Sequence, residues 1–294
     1  MSRSKSFEYF IIFLLTAISG SLFSVIKIAL QSFTPWQLIL VRFLPTVPVF
    51  AAICWYSREK FRLLNRADWA KLFAAGLFGT VIHNLALNTG QTHVGAGIAA
   101  LMDALNPPAI FLLAVIFRAE HVKKYFVLGM ILAFAGVAVL TLSRGGLGID
   151  QTTATGVAIL MIGPVSWGVY TILLADVIPK LGFFTAPAAC VLSGAVVLLP
   201  LAPFSFPHGL PAGYAPWLCA ASLAVFSTIT AFVMWAWLLQ RRGASRTGII
   251  EYLNVIWGLA LATLALHESL TWQMILGAGL ILSGVAITRR RTIP

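Results

Sequence analysis

The sequence predicts an all-α membrane protein of ten transmembrane helices, arranged as two inverted five-helix repeats. Three observations carry this expectation: an apolar composition beyond what a soluble fold can bury, basic residues confined to alternate loops, and a repeat that aligns one half of the chain with the other.

The 294 residues are 60% hydrophobic and 10% charged, with a mean hydropathy of +0.93. Soluble domains carry about 25% charged residues, so the bilayer is the natural solvent for this chain. Spans of about 20 apolar residues are expected near 7–30, 35–56, 69–89, 94–117, 125–143, 154–178, 184–203, 214–240, 245–266 and 271–288. The first follows Arg3 and Lys5 and is longer than the apolar core of a signal peptide, which points to an uncleaved first helix. The connecting loops are short, and none holds a soluble domain.

The formal charge of +11 comes from 20 Lys and Arg against 9 Asp and Glu. Seventeen of the 20 basic residues fall at the two termini and in the second, fourth, sixth and eighth loops or just beside them, whereas the opposite loops hold only Arg144. That distribution is a topology signal, not a nucleic-acid surface, and it puts both termini in the cytoplasm. The expected location is the bacterial inner membrane, with lipid as the surrounding partner and no nucleic acid. Trp36, Trp55, Trp69, Trp217 and Trp272 fall near span ends, where an aromatic belt belongs. Cys54, Cys190 and Cys219 lie in apolar runs at no metal-ligand spacing, and no pattern implies a metal or cofactor.

A shift of 148 residues aligns 80–138 with 228–286 without a gap, and 14 of the 59 pairs are identical. The polar and glycine pairs are the informative ones. Gly95-Ala96 meets Gly243-Ala244, Asn106 meets Asn254, Glu120 meets Glu268, and Gly136-Val137-Ala138 meets Gly284-Val285-Ala286. Asp103 meets Glu251, a carboxylate for a carboxylate, and Gly20 meets Gly168. The expected units are residues 1–148 and 149–294. Five helices per copy means that the second copy enters the membrane upside down, an architecture of many secondary transporters with the site near the midplane.

These features resemble the drug/metabolite transporter superfamily, EamA type. The resemblance rests on the segment from Gly95 to Pro108, on Glu120, and on the Gly129…Gly136-Val137-Ala138 pattern, and it covers nearly the whole chain. Within the superfamily the chain looks most like the YddG-type aromatic amino-acid exporters. The resemblance implies a carrier, not an enzyme, with a cavity lined by the first, third, fourth, sixth, eighth and ninth helices. It implies export of small metabolites, amino acids including aromatic ones, by alternating access. Proton antiport and facilitated diffusion both fit, as do drugs or other metabolites as cargo. A membrane-embedded binding or scaffold protein without flux is the alternative from a different class.

Ionisable groups inside spans face protein or water. Lys27, Arg42, Asp103 and His83 are expected to meet in the outer half, Arg42 about 10 Å and Asp103 about 13 Å deep at 1.5 Å rise per residue. Read functionally, they form a gate or proton-linked site; read structurally, Asp103 pairs with Arg42 and Lys27 snorkels. Glu251 is expected in the cytoplasmic half, as an inner gate or as an interfacial carboxylate. That places Asp103 and Glu251 at opposite depths, too far apart for an enzymatic dyad.

The Asn106-Pro107-Pro108 segment removes backbone donors and predicts a proline kink in the fourth helix, a kink its mate Asn254-Val255-Ile256 does not share. Trp167, Tyr170 and Trp257 can line a cavity and stack on an aromatic substrate, or simply pack. Ser19, Ser24, His83, Asn84 and Asn88 are polar where lipid would penalise them and are expected to face protein or a wet cavity. Three motifs carry nothing. Gly146-Leu147-Gly148-Ile149-Asp150 has one residue too many for an intramembrane aspartyl protease, His267-Glu268 lacks a second His for zinc, and Gly277-Ala278-Gly279 has no strand before it.

Overall fold

The computed structural model describes residues 3–118, 128–129, 131–132, 135–136, 138–139, 151–206 and 210–290. Among them every regular element is helical. Seven helices are long and apolar enough to cross a membrane: α1 (Lys5–Ala29), α2 (Pro35–Tyr56), α3 (Arg66–His93), α4 (Ala96–Phe117), α5 (Gln151–Leu198), α6 (Ala215–Arg242) and α7 (Arg246–Leu266). A further helix, α8 (Trp272–Arg290), follows. The expected fifth span, 125–143, lies largely outside the described residues, as does Glu120.

The 48 residues of α5 cover two expected spans. They are not one straight rod, because Gly182 sits at φ 82° and ψ 165°, a left-handed break that only glycine adopts without strain. The break falls where the sequence predicts the loop between the sixth and seventh spans.

Two helices carry π turns at matching places. Leu77–Ile82 interrupts α3 and Leu223–Thr230 interrupts α6; moved by 148 residues, 77–82 falls on 225–230. Such turns add a residue to one turn, rotate the face that follows, and cluster at functional sites. In α3 the residues after the turn are His83 and Asn84, and in α6 they are Ala231 and Phe232. Asn84 Nδ2 donates to Gly79 O at 2.9 Å and Thr80 O at 3.1 Å, serving carbonyls within the turn.

The fourth helix breaks at Ala104–Leu105, just before the two prolines, and resumes at Asn106. Its counterpart is also interrupted, by a 3-10 turn at Ile249–Glu251, before Tyr252–Leu266 continues. Proline accompanies the break in the first copy alone, as expected, but the second copy is interrupted without it: Asp103 is the last helical residue before the break in α4, and Glu251 is the last residue of the 3-10 turn in α7.

Helix α1 packs along α7, and α5 along α3. The first contact requires Gly20, where a Cβ would come 2.3 Å from Trp257 Cβ and 2.7 Å from Asn254 O. On the face that holds the basic loops, Lys71 pairs with Asp176 at 2.7 Å, Lys180 with Asp68 at 2.5 Å, and Arg242 with Glu8. On the opposite face, Trp36 Nε1 donates to Ser205 Oγ at 2.9 Å, and Glu268 accepts from the amides of Ala96 and Gly97 at 2.8 and 3.0 Å.

Candidate functional site

A cavity lies where the two halves of the chain meet. Helix α1 supplies Thr16, Ser19 and Phe23, α2 Arg42, α3 His83, Asn84 and Leu87, α4 Asp103 and Asn106, α5 Trp167, α6 Ser227, Phe232 and Trp235, and α7 Glu251 and Asn254. Six pairs among the lining residues are separated by 148: Ser19 and Trp167, His83 and Ala231, Asn84 and Phe232, Leu87 and Trp235, Asp103 and Glu251, Asn106 and Asn254. Equivalent positions of the two copies thus face one space. The cavity has a volume of about 70 Å3. Small-molecule sites run to about 300–1,000 Å3, so these walls are drawn together.

Its polar groups form two sets. Arg42 is buried; Nε donates to Thr228 Oγ1 at 2.9 Å, Nη1 to Asn84 Oδ1 at 2.8 Å and Nη2 to Ser227 O at 3.4 Å. The carboxylates form the other set. Asp103 accepts from Asn106 Nδ2 at 2.5 Å and from Asn254 Nδ2 at 3.2 Å, the two asparagines being repeat mates. Glu251 Oε1 accepts from Trp167 Nε1 at 2.5 Å, and its Oε2 is buried without a partner.

His83 and an aromatic cluster complete the wall. His83 Nδ1 lies 3.1 Å from Gly163 O, and since a carbonyl only accepts, that nitrogen carries the proton. The Trp167 ring lies 5.1 Å from His83, 5.9 Å from Phe232 and 5.5 Å from Trp235. Tyr170 stacks behind it at 4.9 Å.

Of the residues singled out from sequence, Ser19, Arg42, His83, Asn84, Asp103, Asn106, Trp167 and Glu251 line this cavity. Others lie elsewhere. Tyr170 is fully buried in the apolar core against Phe232. Trp257 packs edge-on against Phe13 at 5.5 Å. Asn88 Nδ2 donates to Pro35 O at 3.1 Å, and Ser24 is buried off the cavity.

Three expectations are corrected. Lys27 does not join the cluster: its Nζ donates to Gln91 O at 2.7 Å and Val94 O at 2.8 Å, the C-terminal carbonyls of α3, where a cation suits the helix dipole. Arg42 and Asp103 do not form an ion pair: Arg42 donates to Thr228, Asn84 and Ser227, and Asp103 accepts from Asn106 and Asn254. Asp103 and Glu251, expected at opposite depths, line one cavity, but among the described residues no hydrogen bond joins them into a dyad. Sequence reasoning missed Thr16, Ser227 and Phe232. Asn254 is marked in the sequence as the mate of Asn106, and Trp235 as an aromatic away from the span ends.

Comparison with known proteins supplies the family. The EamA-like transporter family profile matches twice, over residues 6–142 and 154–290, the second match beginning and ending 148 residues after the first. The chain belongs to the EamA-like transporter family. Relatives of this EamA-like chain include an uncharacterized transporter of Archaeoglobus fulgidus, 26% identical over 92% of this chain and 95% of that one. A protein of Salmonella typhimurium named "Probable amino-acid metabolite efflux pump" is 27% identical over 98% and 95% of the two chains. One of Streptantibioticus cattleyicolor, "Probable terminal-alkyne amino-acid exporter", is 27% identical over 77% and 75%. A solved crystal structure shares the fold, with a TM-score of 0.68 at 21% identity over 98% of this EamA-like chain and 97% of that chain. The family and its named relatives are transporters, and the multi-pass apolar helices make this chain a membrane protein.

Proposed function

We propose that this EamA-like chain is a secondary transporter that exports small metabolites, amino acids including aromatic ones among them, by alternating access through the central cavity. The observation that carries the reading is the cavity itself, built from equivalent residues of both halves, with aromatic rings beside charged groups. Ten helices in two inverted five-helix repeats, 1–148 and 149–294, supply the mechanism: one architecture, read in two directions, gives two equivalent ways to close. The drawn-in walls leave too little room for an amino acid, so substrate entry requires them to part. Two relatives named for amino-acid efflux support the cargo class.

Basic loops put both termini in the cytoplasm of a bacterial inner membrane. His83, Asp103 and Glu251 are the groups through which protons can couple to flux. The chain acts as a carrier and not as an enzyme.

The test is flux of radiolabelled aromatic and aliphatic amino acids in proteoliposomes, with and without a pH gradient. Saturable flux above that of empty liposomes, faster for aromatic cargo, is expected. Absence of amino-acid flux overturns the cargo; response to the gradient decides coupling.

A further inference from the structure

The cavity keeps its positive and negative groups unpaired with each other. Arg42 is buried, and its hydrogen bonds go to a hydroxyl, a side-chain amide oxygen and a backbone carbonyl, all neutral. A guanidinium has five N–H donors in a planar fork, so these three bonds do not exhaust it. A buried charge held only by neutral groups keeps its full attraction for a counter-charge, and the partner that matches the fork is a carboxylate. Among the described residues no other Lys or Arg lines the cavity.

The two carboxylates differ in what they have left to offer. Both oxygens of Asp103 accept side-chain amides, from Asn106 and Asn254. Glu251 is fixed through one oxygen by the Trp167 indole N–H, and its other oxygen is buried without a partner. Beside it stand Trp167, Phe232 and Trp235, and the Trp235 Nε1 is likewise buried without a partner.

We propose that this cavity reads a zwitterion at two walls: Arg42, set by Asn84 and Thr228, takes an α-carboxylate, and the free oxygen of Glu251, set by Trp167, takes the α-ammonium, with the side chain against Trp167, Phe232 and Trp235. The assignment rests on the amino-acid reading above and adds which residue holds which charge. It makes net-neutral amino acids the cargo class. It also accounts for the separation of the charges: a direct Arg42–carboxylate pair would occupy both recognition groups at once.

The experiment uses the purified full chain in proteoliposomes. Counterflow of labelled L-phenylalanine is competed with unlabelled L-phenylalanine, with 2-phenylethylamine, which lacks the carboxylate, and with 3-phenylpropanoate, which lacks the ammonium. L-leucine, isoamylamine and 4-methylpentanoate form a second series. In the unsubstituted protein each single-charge analogue is expected to compete at least about tenfold more weakly than its amino acid, as the loss of a charge-assisted hydrogen bond implies.

In Arg42→Gln the gap between phenylalanine and phenylethylamine closes while the gap to phenylpropanoate persists; in Glu251→Gln the reverse holds. Arg42→Lys keeps the charge and retains preference for the carboxylate. The assignment is overturned by a single-charge analogue that competes as well as the amino acid, or by two variants that shrink both gaps alike. The first of these outcomes needs no variant, so the test survives a variant that does not fold. Amino-acid flux without charge discrimination sinks this assignment alone; no amino-acid flux at all sinks the transport reading with it.

Discussion

Trp167 donates its indole N–H to Glu251 Oε1 at 2.5 Å, tying α5 to the start of α7 at the edge of the cavity. The donor comes from α5 and the acceptor from the 3-10 turn of α7, so the bond fixes a carboxylate where the helix is interrupted. Trp167→Phe keeps a ring against Phe232 and Trp235 and removes the donor. Flux is expected to fall about tenfold, with protein yield unchanged. In a cycle with Glu251→Gln, the two losses are expected to be non-additive by about 1.5–3 kcal/mol, the scale of a hydrogen bond to a charged group. Additive losses would mean that the indole acts only by packing.

Asn84 has two tasks, which makes its replacement severe. It accepts from the Arg42 guanidinium and donates to two carbonyls of the π turn. Asn84→Leu leaves a buried cation and buried carbonyls short of partners, at a cost of about 2–4 kcal/mol. Thermal unfolding in detergent is expected to move down by roughly 5–10 °C. Thr228→Ser keeps the hydroxyl that Arg42 Nε reaches and is expected to shift the midpoint little; Thr228→Val removes it and falls between the two.

Much of this architecture is legible in the sequence because the signals are long or paired. Apolar runs give the helices. The pairing of Asp103 with Glu251 and of Asn106 with Asn254 points to residues that do share a cavity. The detail is not legible where one turn of backbone decides which way a side chain faces. Trp167 and Tyr170 sit three residues apart on one helix, yet Trp167 lines the cavity and Tyr170 is buried behind it against Gly79, where a Cβ would come 2.4 Å from the ring. No composition marks Leu77–Ile82 or Leu223–Thr230 as π turns. Depth alone left Lys27 open between a gate and a structural cation, and the carbonyls it reaches at the end of α3 come from another part of the chain.

Asp103 provides the test of proton coupling. It lines the cavity with amide partners and no cation bonded to it. Asp103→Asn keeps the shape and removes the site that exchanges a proton. Counterflow, which needs no net proton movement, is expected to persist. The response of net flux to an imposed pH gradient is expected to be lost. A gradient response equal to that of the unsubstituted protein would assign coupling to Glu251 or His83 instead.

Glu268 clamps the start of α4 on the face opposite the basic loops. Its two oxygens each take one of the free amides of Ala96 and Gly97, groups that the first turn of any helix leaves without intrahelical partners. The negative charge also sits at the positive end of the helix dipole. Glu268→Gln keeps one acceptor oxygen, loses the charge, and is expected to cost about 1 kcal/mol; Glu268→Ala loses both bonds and is expected to cost about 2 kcal/mol or more. Because α4 carries Asp103 and Asn106 to the cavity, flux is expected to fall together with thermal stability, and in the order Gln before Ala. Gly97→Ala separates packing from the clamp: its Cβ would meet Met274 Cε at 2.9 Å and Glu268 Oε2 at 3.3 Å, a contact that a flexible methionine can relieve. A midpoint that falls for Glu268→Ala but holds for Gly97→Ala would locate the effect in the two hydrogen bonds, whereas no shift in either would show that the clamp does not hold α4 in place.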